Sequence, residues 1–187
     1  RNGWIFICIA CLLFIGCESN NEEVELSKEE LLDFENFGKA PETKKRKPMD
    51  EVVKVYFSES SIDMPYEPIA INLIDKKLYI RPNVSVHRSS RYHDSVAMDR
   101  TEEVISLLEK YDVERWKRDY TFEDPRSYED GYGWSLWLQF EDGTVKKHTG
   151  SGTSKEKITP QHFDEFVNNL IRLVEEVGGI EASDLKK

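Results

Sequence analysis

Hydrophobic and polar positions fall into three rhythms along the chain. From Trp4 to Ile15 there is an unbroken apolar run without a charge, and residues 18–50 are dominated by Glu, Lys and Asn. Beyond residue 51 apolar positions return at regular spacing. Val52 to Phe57 alternates as a half-buried strand does, and Ile69, Ile71 and Leu73 share one face of a second strand. Asp75-Lys76-Lys77 turns it into a third strand, Leu78 to Arg81, stopped by Pro82. A polar loop is predicted from Asn83 to Met98. Asp99 with Glu102 then caps a helix whose Val104, Ile105, Leu108 and Tyr111 keep helical spacing. Trp116, Arg118 and Tyr120 predict a short strand after it.

The clearest unit is a hairpin. Trp134, Leu136, Leu138 and Phe140 alternate with Ser135, Trp137 and Gln139, and Asp142-Gly143 suits a two-residue type I′ turn. That turn sets Phe140 opposite Val145, Gln139 opposite Lys146, and Trp137 opposite His148 on the non-core side. Thr159 and Pro160 then start a last helix with a wide apolar stripe, Phe163, Phe166, Val167, Leu170, Ile171 and Val174, ended by Gly178-Gly179. The order of elements predicts an α+β domain, an antiparallel sheet of about five to six strands with two main helices on one face.

In residues 18–50, Ser27 and Glu30 have the spacing of a capping box, flanked by Leu26 and Leu31 as a staple. This segment is read as a polar tether with one short helix, whose Leu31, Leu32, Phe34 and Phe37 dock loosely on the domain. Lys44-Lys45-Arg46-Lys47 follows as a solvated linker, with contact to anionic lipid as the alternative. Residues 51–187 are then a single domain.

The chain carries a net -10. An acidic surface without a basic stripe repels phosphate backbones, so nucleic acid is not an expected partner. The three cysteines, Cys8, Cys11 and Cys17, all precede the domain, which therefore has no disulfide, Cys nucleophile or thiolate ligand.

Arg1, the short apolar run and Gly16 form the charged start, apolar core and small residue of an export signal. Phe14-Ile15-Gly16-Cys17 resembles the lipobox of bacterial lipoproteins. The resemblance implies a signal peptide over residues 1–16, a diacylglyceryl group on Cys17, labelling by palmitate, and a domain held at a membrane of the cell envelope, outside the cytoplasm. Phe14 departs from the Leu that the family prefers there, and Arg1 implies that the leader begins further upstream. The run is shorter than the ~20 apolar residues of a membrane-spanning helix. A second resemblance links Trp134-x-Leu136-x-Leu138-x-Phe140-x-Asp142-Gly143, Gly150-Ser151-Gly152 and Pro160-x-x-Phe163 to uncharacterised bacterial domains, and implies a fold unit without an activity.

Candidate chemistry is sparse. His87 and His93-Asp94 are six apart in a Ser/Arg-rich loop, which suits no helical metal site, and neither a metal nor a cofactor is expected. Gly150-Ser151-Gly152-Thr153-Ser154 does not run directly into a helix as a phosphate cradle does, and reads as a flexible turn. No nucleophile elbow accompanies the Ser and His residues, so no catalytic residue is assigned. The long loop Thr121 to Gly133 is more distinctive. Its Tyr128 and Tyr132, with Trp137 and His148, form a candidate interaction surface for an envelope protein or ligand. The simpler reading has Trp137 covered by Tyr120 or by the tether helix. Two functions follow: a non-enzymatic binding module, or an extracytoplasmic hydrolase using carboxylates and His148.

Overall fold

A computed structural model describes residues 26–32, 36–61, 68–80, 94–122, 131–153 and 155–178. Cys17 and the leader, Phe34, His87, His93 and Tyr128 lie outside the described residues. One antiparallel sheet organises the rest. Its strands are β1 (Val52–Ser60), β2 (Ile69–Asn72), β3 (Lys77–Ile80), β4 (Asp94–Ala97), β5 (Tyr132–Phe140) and β6 (Val145–Gly152), in the spatial order β4-β3-β2-β1-β5-β6. The helices are α1 (Lys28–Leu31), α2 (Thr101–Lys110) and α3 (Phe163–Gly178). The α+β class, the antiparallel sheet and the two substantial helices are those the sequence predicts. A strand, β4, lies within the stretch read as polar loop.

Alternation along β1 and β5 sorts the sheet into two faces. Val55, Phe57, Leu136 and Leu138 meet Val104 and Leu108 of α2 and Phe166 and Leu170 of α3 in the main core. The helices are joined at the surface by Arg100, whose guanidinium sits 2.5 Å from both Glu103 and Glu176. Arg100 is also the N-cap of α2, and it makes no side-chain cap bond. The Asp99 cap is therefore corrected, the arginine clasp holding this end in its place.

The second face is covered by the segment read as a tether. Ser27 and Glu30 do form a reciprocal capping box on α1. Phe37 is fully buried, stacks on Trp137 at 5.8 Å, and with Ala40 packs against Ala70 and Val145. Further on, Val145 N–H donates to Pro41 O (2.9 Å) and Thr43 N–H donates to Val145 O (2.8 Å), a short parallel bridge. Residues 36–43 are thus packed onto the sheet. Lys44, Lys45 and Arg46 are exposed, while Lys47 pairs with Asp142 at 2.5 Å.

A second strap covers the other end of β6. Tyr120 N–H donates to Thr149 O, Thr149 N–H to Arg118 O and Phe122 N–H to Ser151 O, at 2.8 to 3.0 Å. This is the extended piece expected around Trp116 to Tyr120, realised as bridges at Asp119 and Phe122. Arg118 and Glu42 join the two straps in a two-bonded pair at 2.6 and 2.8 Å.

The hairpin is shifted by one residue from its predicted register. Phe140 O accepts from Gly143 N (2.8 Å), Phe140 N donates to Thr144 O (2.9 Å), and Gly143 has φ +86. Asp142 is not left-handed, so the connection is a three-residue type I turn closed by a glycine bulge, not a type I′ turn. Only one residue must then adopt positive φ, and that residue is glycine. Burial pushes Asp142 up, but hydrogen bonds from Lys47 and Thr144 outweigh it and hold the carboxyl down at about 2. Gln139 consequently pairs with Val145, Trp137 with Lys147, and Leu136 with His148. Every β6 side chain is on the face opposite to the predicted one. Gly150 and Gly152, read as a flexible turn, are the last residues of that strand.

Candidate functional site

The register shift dissolves the predicted interaction surface. Trp137 lies on the second face between Phe37, Tyr56 and the Lys147 ammonium, so the tether segment covers it, and Tyr120 does not. His148 is on the other face, fully buried beside Leu136 and Trp116. Its Nδ1 is 2.9 Å from Lys117 O, which requires the proton on that nitrogen. Burial, helped by the nearby Lys146, outweighs the Lys117 hydrogen bond and holds its pKa down at about 4. A neutral imidazole sealed from solvent has no access to a substrate, which removes His148 as an acid or base. Tyr132 is at the far end of β5, where its hydroxyl donates to the buried Glu59. Lys155 meets the same carboxylate at 3.2 Å and Asp164 at 2.8 Å. Burial lowers the Lys155 pKa, but the two carboxylates more than reverse this and raise it. These groups satisfy one another as a clasp between β5, β1 and α3. Tyr132, Trp137 and His148 are therefore not brought together.

Two turns build a groove elsewhere. The first ends α2. Tyr111 and Asp112 N–H groups bond back to Leu107 and Glu109 carbonyls at 3.3 and 3.0 Å. Asp112 then takes φ +49, a left-handed stop that Asp tolerates better than most residues. A single 3-10 turn, Val113–Arg115, is pinned by the buried Val113 and delivers Trp116. The Trp116 indole donates to Tyr111 O at 3.0 Å, and its ring meets Phe166 at 5.2 Å edge-on.

The second turn precedes α3. Ile158 is buried, and its carbonyl accepts from the Trp134 indole at 2.7 Å. Phe163 N–H bonds to Pro160 O at 3.3 Å, and His162 has φ +59. Thr159 hydroxyl donates to Lys155 O (3.0 Å) instead of capping α3, and Pro160 lies in the turn before the helix. The predicted start of this helix is thus corrected by three residues. The left-handed His162 redirects the chain first.

Between these turns lies a cavity of about 490 Å³. Trp116, Tyr111 and Tyr120 give it aromatic walls, Lys110, Asp112 and Arg115 one lip, and Gln161, His162 and Glu165 the other. The volume is within the ~300–1,000 Å³ of small-molecule sites. His162 Nδ1 lies 3.0 Å from Glu165 Oε1. Lys110 rests over the Tyr111 ring at 4.9 Å, and Arg115 approaches Glu114 only to 3.8 Å. Among the described residues, the side chains of Lys110, Asp112 and Gln161 make no hydrogen bond or ion pair. Sequence reading missed this site because its lips are some fifty positions apart (Asp112 to His162) and carry no motif. The available signal was a left-handed-tolerant Asp just after the last apolar helix residue, and a Pro two positions before a His.

A smaller cavity of about 170 Å³ lies between α2 and α3, and it is crossed by the Arg100 clasp described above. Among the described residues, no group of three or more His, Cys, Asp or Glu side chains could hold a metal ion. No helix of the described residues is long and apolar enough to cross a membrane. No protein-family model, curated protein or solved structure matches this chain.

Proposed function

We propose that this chain is a binding module of a bacterial cell envelope, held to a membrane by lipid on Cys17, with its domain outside the cytoplasm. The observation that carries the binding part is the groove between Asp112 and His162. It combines aromatic walls with side-chain donors and acceptors that the fold leaves uncommitted. The envelope part rests on the leader and on Phe14-Ile15-Gly16-Cys17. A diacylglyceryl group supplies two acyl chains, enough for stable anchoring.

Each part has its own test. Labelled palmitate is expected in the wild-type chain and absent from Cys17→Ala, and label retained in the variant overturns the anchor. A photo-crosslinking residue at position 161 is expected to trap a ligand in the native cells. The same group at position 76, in the exposed β2–β3 turn, is expected to trap none. Equal yields from both positions overturn the groove.

One observation favours hydrolysis as a second reading. Glu165 holds His162 through Nδ1 on the groove lip, which leaves Nε2 able to take a proton from water. That reading requires turnover of activated ester or glycoside substrates, stopped by His162→Ala. The binding reading expects no turnover.

A further inference from the structure

We propose that the groove between the α2 end and the α3 start takes a neutral saccharide, one or a few sugar rings at the end of an envelope glycan. This rests on the binding reading above and specifies its ligand. Three features select the class. First, the lips are balanced in sign, with Lys110 and Arg115 against Asp112 and Glu165. Such a site gives no net attraction to a polyanion or a polycation.

Second, the walls are rings with polar neighbours, and the cavity is an open trough without a sealed apolar interior. Tyr111 and Tyr120 are half-buried, with the Lys110 and Lys117 ammoniums over their rings at 4.9 and 5.8 Å, and the buried Trp116 contributes only its rim, its indole N–H already used by Tyr111 O. Ring faces carry negative charge density that attracts the weakly positive C–H face of a sugar. Carboxylate, amide and guanidinium groups around them match hydroxyls, each of which donates and accepts. A lipid tail would gain little here, because acyl chains need apolar walls on all sides.

Third, the backbone route for an extended peptide is closed. Peptide recognition by strand addition uses a free sheet edge. The β6 edge beside the groove is occupied by Tyr120 and Phe122, whose N–H groups bond to Thr149 and Ser151 carbonyls.

The test uses the full chain in detergent micelles, with Trp116 indole resonance and tryptophan emission as readouts. Probes are hexamers of glucose, mannose and N-acetylglucosamine, a proline-rich peptide and heparin. At least one sugar hexamer is expected to bind saturably and to shift the Trp116 indole. Arg115→Ala and Gln161→Ala, both at exposed positions, are each expected to weaken that binding about fivefold, the loss of one hydrogen bond. If only the peptide or heparin shifts Trp116, the saccharide class is overturned and the groove retained. Sugar binding that leaves Trp116 unmoved and ignores both variants overturns the saccharide assignment to this site. If no probe moves Trp116, both the ligand class and the groove are overturned.

Discussion

At Gly150 a single methyl group would be costly. It pairs with Trp134 across β5 and β6, and a Cβ built on it would lie 2.2 Å from both Trp134 Nε1 and Ile158 O. Those two atoms form the 2.7 Å hydrogen bond that fixes the turn before α3. Neither can give way cheaply. Trp134 is held by Phe163 at 4.6 Å, and Ile158 O is backbone. Gly150→Ala would break a bond worth ~1 kcal/mol and leave a buried donor unpaired at a further ~1–3 kcal/mol. Overpacking adds ~1–3 kcal/mol. We expect a loss of about 3–7 kcal/mol, seen in urea titrations, and a fall in Tm of roughly 6–28 °C for a chain this size. Gly133 is the matched control on β5. A Cβ there meets Ser60 Oγ at 3.7 Å and Gly150 O at 3.8 Å, ordinary contacts, and its φ is negative. Gly133→Ala should be neutral or stabilising by up to ~1 kcal/mol. A Gly150→Ala loss under ~1 kcal/mol, or equal effects at both positions, would refute the close-approach argument.

Other predictions follow from buried groups and from the straps. His148 titrates at about 4 in the folded chain against 6.5 unfolded, so its contribution is complete above pH 6.5 and lost as pH falls towards 4. It should amount to about 3 kcal/mol, and His148→Gln should remove that part of the slope of stability against pH; an unchanged slope counts against it. Phe37→Ala should cost about 3–5 kcal/mol in denaturant titrations and red-shift Trp137 emission, whereas a loosely docked segment would give neither. Arg118→Ala should cost little, and high salt should erase the difference, because the guanidinium is largely exposed.

The strands of the hairpin were legible because Trp134, Leu136, Leu138 and Phe140 keep period two, and α3 because its stripe keeps helical spacing. The register was not. Asp-Gly fits both a two-residue turn and the last positions of a three-residue one, and the choice moves Val145, Lys147 and His148 between faces. β4 escaped notice because Asp94, Ser95, Val96 and Ala97 show little apolar alternation, its pairing with β3 being a tertiary matter. The strap around Phe37 was hidden by the composition of its neighbours. One fully buried aromatic among Glu, Asn and Lys does not register as periodicity. The groove lay beyond reach for a related reason: it is made by two left-handed turns, Asp112 and His162, that only the fold brings face to face.

The packing of the N-terminal segment also fixes an order of events in folding. Gln139 reaches Leu31 across 108 positions, Lys47 reaches Asp142 across 95, and Arg118 reaches Glu42 across 76. During synthesis, these long-range partners of residues 31–47 are made after them. Closure at such separations is slow and is rewarded only once the β5–β6 hairpin exists. Until then Trp137 is bare and the outer rim of β6 can pair with another copy of itself, a window for misassembly that closes when both straps dock. A chain starting at residue 44 would keep that window open permanently, so its concentration-dependent self-association would report what the strap prevents.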